Sequence, residues 1–332
     1  MAKKKIILSI DGGGIRGIVP GQLLTHVERL LKEIYDDPTY KIADHFDLIA
    51  GTSTGGILAC AYLLSEFGRP KYTADEVVNI YLERGDDIFS IPLFHKIRTA
   101  GGVLDEKYPA AGLEETLKDY FGDAKLSDLL KPSLITAYDI KRRKAHFFTQ
   151  HDAKDPDHNF FLRDVARATS SAPTYFEVSK IKSDANKYYP LIDGGIFANN
   201  PALCAFAETR NKFSTKDFNI NAADILLLSL GTGYAKASYS YDEAKDWGLA
   251  KWTKPALDMM MAGVSDTVDY QLKQIFEASG VPNQYLRLNA ELPVNIDPNM
   301  DCVEPENLEL LKDFGDSIYK ENQQEILRFL KM

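Results

Sequence analysis

Phe46-Asp47-Leu48-Ile49-Ala50-Gly51-Thr52-Ser53-Thr54-Gly55 carries a buried strand, a tight turn and the start of a helix. Phe46 to Ala50 is an apolar run of strand length, and Ile57 to Leu64 continues at helical spacing after the turn. The same succession opens the chain. Ile6 to Ile10 reads as a fully buried strand and Asp11-Gly12-Gly13-Gly14-Ile15-Arg16-Gly17 as a turn. Leu23, Leu24, Val27, Leu30, Leu31 and Ile34 then form the apolar face of a helix, with Glu28, Arg29, Lys32 and Glu33 opposite. Strand, glycine turn and helix in repeated order predict an α/β fold, a central and mostly parallel sheet flanked by helices in three α/β/α layers.

Farther along, Leu134 to Ile140 and Ala145 to Gln150 are β-rich runs on either side of Lys141-Arg142-Arg143-Lys144. They predict a hairpin whose basic turn is solvated, with contact to anionic lipid headgroups as the other reading. Tyr188 to Ile192 reads as a strand ending in Asp193-Gly194-Gly195, and Asn200-Pro201 as an N-cap and first helical position of a helix through Phe213. The strand Asp224 to Leu230 ends in Gly231-Thr232-Gly233. Tyr234 to Asp246 lacks periodicity and is expected to be a mobile loop. Helical patterns resume over Trp252 to Phe276 and Pro305 to Leu330, with a short strand at Gln284 to Leu288 between them. With no repeat and no low-complexity linker, residues 1–332 are expected to form a single domain with a helical C-terminal part over 250–332.

The 39 basic and 48 acidic residues leave a net charge of −9, which offers no field to gather nucleic-acid phosphates. Cys60, Cys204 and Cys302 are too few and too scattered for a disulfide framework or a closed zinc site, so a reducing, cytoplasmic setting is expected. The run Ile6 to Ile10 falls short of the roughly 7–15 apolar residues of an export signal. No apolar stretch reaches the ~20 residues that cross a bilayer, although peripheral contact with a membrane stays open.

Three glycine-bearing turns follow strands. Gly12, Gly14 and Gly17 match GxGxxG, but a dinucleotide site also needs an acid at the end of a second strand, and Glu33 lies inside a helix. Bare amides at a helix N-terminus equally suit a phosphate or a developing oxyanion. Gly51 to Gly55 is a GxSxG sequence in the strand-turn-helix context of a nucleophile elbow, which would present the Ser53 hydroxyl at the sheet edge; a helix-capping serine is the plain alternative. A serine needs a base. Of the six histidines, His146, His151 and His158 alone follow Ser53 at a separation compatible with the hydrolase order, and none ends a sheet strand. Asp193, directly after a strand, would place a carboxylate at the same edge as Ser53, making a Ser-Asp pair possible beside the alternative of an ordinary turn carboxylate. Met259-Met260-Met261 reads as core or as the wall of an acyl-chain tunnel. Phe89, Ile91, Leu93 and Phe94 around Pro92 read as a membrane-touching lid or a packed loop.

In combination these residues resemble the patatin-like phospholipase family. The motifs that carry the resemblance are Asp11 to Gly17, Gly51 to Gly55, Arg167 to Phe176, Asp193 to Pro201 and Ser229 to Gly233, in that order, clearest over residues 6–233. The resemblance implies a lipid acyl hydrolase of phospholipase A or lysophospholipase type acting on membrane acyl lipids. It implies Ser53 as nucleophile, Asp193 as general base, and an oxyanion hole from the loop of Gly12, Gly13, Gly14, Arg16 and Gly17. Gly51, Gly55, Gly194 and Gly195 support these motifs, and neither a metal nor a cofactor is implied. A non-catalytic storage or binding relative and a nucleotide-binding oxidoreductase are the competing expectations, and an activator is neither implied nor excluded.

Overall fold

The computed structural model describes residues 4–89, 110–215, 219–235 and 239–332. Eight strands form the main sheet: β1 (Lys5–Ile10), β2 (Leu48–Thr52), β3 (Ser133–Asp139), β4 (Lys144–Thr149), β5 (Ser179–Lys182), β6 (Tyr188–Asp193), β7 (Ile225–Leu230) and β8 (Tyr285–Leu288). The helices used below are α1 (Ile18–Tyr35), α2 (Thr54–Leu63), α3 (Ala74–Phe89), α4 (Ala111–Phe121), α5 (Leu162–Thr169), α6 (Gly195–Ala198), α7 (Ala202–Lys212), α8 (Leu249–Ala278) and α9 (Pro305–Leu330). The spatial order is β8-β7-β1-β2-β3-β6-β5, with β4 also on β3.

The β8-β7-β1-β2-β3 run is parallel throughout, and its inner strands are buried on both faces: every residue of β2 and of the Ile225-Leu226-Leu227-Leu228-Ser229-Leu230 strand is buried. Alternate residues serve opposite layers. Ile49, Ile135 and Leu228 point into a core with α1 to α5 and α9, whereas Leu48, Leu134 and Leu227 point into a second core with α7 and α8. α2, Thr-Gly-Gly-Ile-Leu-Ala-Cys-Ala-Tyr-Leu, is buried along its whole length, as a helix apolar on all sides must be.

The far end of the sheet departs from parallel order in a way that builds the site. β4 takes one edge of β3 over residues 134–139. The other edge is shared: β2 pairs with it up to Thr52↔Thr136, and β6, running the opposite way, pairs from Ala137↔Asp193 onward. β2 and β6 therefore meet end to end, and the residue after β2 faces the last residue of β6.

The expected elements are present with shifted bounds. The strand expected over Phe46 to Ala50 lies at Leu48–Thr52, and the helix after it starts at Thr54. Pro201 occupies the N-cap rather than the first helical position, and the Asn200 side chain accepts from the Ala202 amide at 3.0 Å. Tyr234 to Asp246 is not all loop, since Tyr241–Ala244 is helical, capped by Ser240 accepting from Glu243. The methionine run is not core: Met259 and Met260 are exposed, and Met261 reaches the edge of the site described below. Ile91, Pro92, Leu93 and Phe94 lie outside the described residues. No helix among those described is long and apolar enough to cross a membrane.

Candidate active site

Ser53 stands between β2 and α2 with φ 54° and ψ −123°, a conformation that costs a non-glycine residue roughly 1–3 kcal/mol. Its N–H donates to Thr169 Oγ1 at 2.9 Å, and that hydroxyl donates to the Thr136 carbonyl at 2.6 Å. Its carbonyl accepts from Gly56 and Ile57 at 2.8 and 3.1 Å, so both backbone groups of the strained residue are tied down. The flanking glycines are required by contact. A Cβ on Gly51 would lie 2.0 Å from the Gly55 carbonyl oxygen, and one on Gly55 would lie 2.2 Å from that of Ile10. Strand and helix approach this closely only without side chains.

Asp193, 4% exposed, lies beside the Ser53 side chain, and its Oδ1 accepts from the Gly195 amide at 2.7 Å. Burial disfavours the carboxylate and pushes its pKa up from 3.8 to about 6, against the opposing pull of the Ser53 and Gly195 donors. The β6 amide of Asp193 donates to Ser171 O at 3.0 Å. Arg167 holds that turn through Ser171 Oγ at 2.6 Å and the Glu177 carbonyl at 3.1 Å. Gly194 packs against Thr136, and Gly195 lies beside Asn199 Oδ1 and Met261 Cε.

The loop Asp11 to Gly17 closes the third side. A Cβ on Gly12 would lie 3.2 Å from Ser53 Cβ; the Gly12 N–H donates to the Asn199 carbonyl at 3.0 Å, and its own carbonyl accepts from Thr232 Oγ1 at 3.0 Å. Gly14 has φ +59° and the following amide, Ile15, donates to Met300 O at 2.8 Å. Among the described residues no acceptor takes the amides of Gly13 and Gly14. Gly17 is seated against Thr54, a packing position. Arg16 reaches back to the Gly13 carbonyl and across to that of Gly233, both at 3.4 Å, and so braces the loop.

Two further groups fix this loop and were not singled out in the sequence. Arg287 donates to Asp11 in a bidentate pair at 2.8 and 2.5 Å and to Ser229 Oγ at 2.9 Å. Its signal was a single charge inside the apolar run Tyr285-Leu286-Arg287-Leu288. Burial pushes the Asp11 carboxyl up from its ordinary value and the Arg287 charge pulls it back. Asn199, inside the segment between Asp193 and Pro201, donates weakly to Gly12 O at 3.4 Å and to Ser265 Oγ at 3.3 Å.

The histidines stand elsewhere. His146 packs among Phe148, Phe160 and Tyr189, where burial lowers its pKa to about 4. His151 lies beside Glu208 and His158 beside Asp155. Glu33 is an exposed residue of α1, far in sequence from any strand end a ribose hydroxyl would need. Among the described residues no three His, Cys, Asp or Glu side chains gather as a metal site.

The chain matches the family model for patatin-like phospholipase over residues 8–206. Patatin-like protein 2 of Arabidopsis thaliana is 36% identical over 337 residues, covering 95% of this chain and 82% of the relative. Patatin-like protein 4 of the same plant is 34% identical, covering 95% and 83%. A protein named probable inactive patatin-3-Kuras 1, from Solanum tuberosum, is 32% identical, covering 96% and 87%. Among solved structures, human GIVD cytosolic phospholipase A2 aligns with 99% of this chain and 60% of its own, with a TM-score of 0.51 at 12% identity, which speaks for the fold.

Proposed function

The chain belongs to the patatin-like phospholipase family, and on that premise we propose that it is a lipid acyl hydrolase of phospholipase A or lysophospholipase type, working through Ser53 and Asp193. The observation that carries the reading is the juxtaposition, where β2 and β6 meet, of a serine on a strained elbow and a buried carboxyl whose pKa is raised to about 6. An aspartate at its ordinary pKa is too weak a base for this task, and burial moves it toward neutral pH.

In the first step Asp193 takes the Ser53 proton as Oγ attacks the acyl carbonyl carbon. The carbonyl oxygen becomes an oxyanion facing the amides of Gly13 and Gly14; Gly12 is not among the donors, because its N–H is committed to Asn199. The proton passes to the leaving alcohol or lysolipid as the ester bond breaks. Water, deprotonated by the same carboxylate, then attacks the acyl-enzyme and releases fatty acid. Losing one oxyanion donor costs ~3–4 kcal/mol of transition-state stabilisation, so the loop that Arg16 and Arg287 brace is as critical as the nucleophile.

The test is fatty-acid release from a mixed phospholipid and neutral-lipid panel, read by mass spectrometry. Wild type is expected to release acid, and Ser53→Ala and Asp193→Asn to fall to background. Wild-type kcat/KM is expected to rise tenfold per pH unit up to about 6 and then level, as the base loses its proton. A fluorophosphonate probe that leaves Ser53 unlabelled in wild type would sink the proposal and favour a binding relative.

A further inference from the structure

The second helical layer, α7 and α8, covers the half of the sheet made by β8, β7, β1 and β2. On the same face the other half joins neither core among the described residues. The register places Tyr138, Ala145, Phe147, Tyr188, Pro190 and Ile192 on this face, whereas their neighbours Ala137, Phe148, Tyr189 and Leu191 point into the main core. Among the described residues Phe197 of α6 leans over it, edge-on to Phe147 and tilted on Tyr138. Phe147 is 40% exposed and Tyr188 53%, and Val178 and Ile140 at the strand ends are 47% and 40% exposed.

The charged residues that the register places on this face are basic. Lys180 and Lys182 project from β5 on the same side and lie over the Tyr188 ring at 5.0 and 5.8 Å. Lys141 and Arg143 are exposed at the hairpin tip, whereas Lys144 falls on the other face of β4 with His146 and Phe148. Among the described residues Lys180, Lys182, Lys141 and Arg143 make no ion pair. Arg142 differs, being spent on buried Asp139 at 2.6 Å and on the Tyr189 ring. Two exposed acids flank β5, Glu177 before it and Asp184 after it, the latter paired with Lys125 at 2.9 Å.

The position matters as much as the composition. Thr136 of β3 is level with Thr52, the residue before the nucleophile. Ile140 lies four residues farther along, about 13 Å beyond it at ~3.3 Å per residue. The hairpin tip, the start of β6 and the end of β5 thus all rise past Ser53 from the edge of the sheet on which it sits. A chain with a net charge of −9 is repelled as a whole by an anionic surface, so any face that meets one must be locally basic.

We propose that this uncovered, basic-rimmed face of β3 to β6 is the surface by which the protein docks on an anionic lipid bilayer, presenting the adjoining crevice to its substrate. The aromatic and aliphatic side chains enter the headgroup boundary while the lysines and Arg143 meet lipid phosphates. The proposal rests on the hydrolase reading for its purpose, but the contact itself is independent of turnover.

The experiment is cosedimentation of the full chain with vesicles of phosphatidylglycerol and phosphatidylcholine, against phosphatidylcholine alone, beside hydrolysis of a water-soluble short-chain ester. Wild type is expected to bind the anionic vesicles, less so at high salt. Each cation near such a surface is worth about fivefold in partitioning, so Lys180→Gln with Lys182→Gln should weaken binding about 25-fold. Lys141→Gln with Arg143→Gln, at a site remote from the first pair, should do the same. Soluble-ester hydrolysis should be unchanged in both. Equal binding of wild type and both double variants, or no preference of wild type for the anionic vesicles, overturns the docking surface. Charge-dependent binding by a protein that cleaves no ester upholds the surface while refuting the hydrolase reading.

Discussion

Removing the charge of Asp193 should make the protein more stable at neutral pH while abolishing turnover. The folded protein keeps the Asp193 proton up to about pH 6, whereas a solvated aspartate releases it near 3.8. Between those values the folded state binds more protons than the unfolded chain, so this group's contribution to stability falls as pH rises. A displacement of roughly two on the pH scale, at about 1.4 kcal/mol each, amounts to about 3 kcal/mol of destabilisation above pH 6. Asp193→Asn is isosteric and neutral: its side-chain oxygen can still accept from Gly195, and its amide can donate to Ser53. The variant should therefore exceed wild type by about 3 kcal/mol at pH 7.5, with the gap shrinking to about 1 kcal/mol at pH 4.5. Urea titrations of both proteins at the two pH values measure it. A gap of the same size at both, or a variant less stable than wild type at pH 7.5, would show that burial of a charged Asp193 is not what raises its pKa.

Other substitutions separate strain, pairing and scaffold. Ser53→Gly should raise stability by about 1 kcal/mol over Ser53→Ala, since both delete the hydroxyl but glycine alone accepts φ 54° without cost; thermal midpoints of the two compare them. Arg287→Ala leaves Asp11 buried and unpaired and should lose ~3–5 kcal/mol, whereas Arg287→Met combined with Asp11→Leu should recover much of that in the same denaturation assay while leaving esterase activity low. Thr169→Val removes the acceptor of the Ser53 amide and should cost ~1–3 kcal/mol, with a fall in kcat larger than any change in KM.

The parallel half of the fold was legible because its strands are continuous apolar runs and its turns carry glycines that contact demands. Ile6 to Ile10 and the strand before Gly231 announce themselves this way, and the packing of Gly51 on Gly55 explains why the elbow could be read from five residues. Boundaries slipped where backbone pairing outlasts apolar character: Gly51 and Thr52 belong to β2 because they pair with Ile135 and Thr136, which no local pattern reveals. Arg287 escaped notice because its partner lies 276 residues away, and a lone arginine in a strand has no local reading. The methionines misled because their helix passes along the edge of the crevice, so apolar side chains there face outward and toward Gly195 rather than into a core.

The way β2 and β6 divide one edge of β3 would let the proposed two-residue site dispense with a histidine arm. A histidine on a loop must be carried to its serine and oriented by a third group. Here the separation of hydroxyl and carboxyl is fixed by ladder hydrogen bonds, because Thr52 and Asp193 pair with the consecutive residues Thr136 and Ala137. A slip of one residue in β6 would displace Asp193 by ~3.3 Å and turn its side chain to the opposite face. The register of β6 is in turn held by Leu191 and Tyr189 in the main core and by the Ser171 carbonyl on the Asp193 amide. The precision of the proposed chemistry is therefore a property of sheet pairing and core packing, and core substitutions at Leu191 should degrade turnover before they unfold the chain.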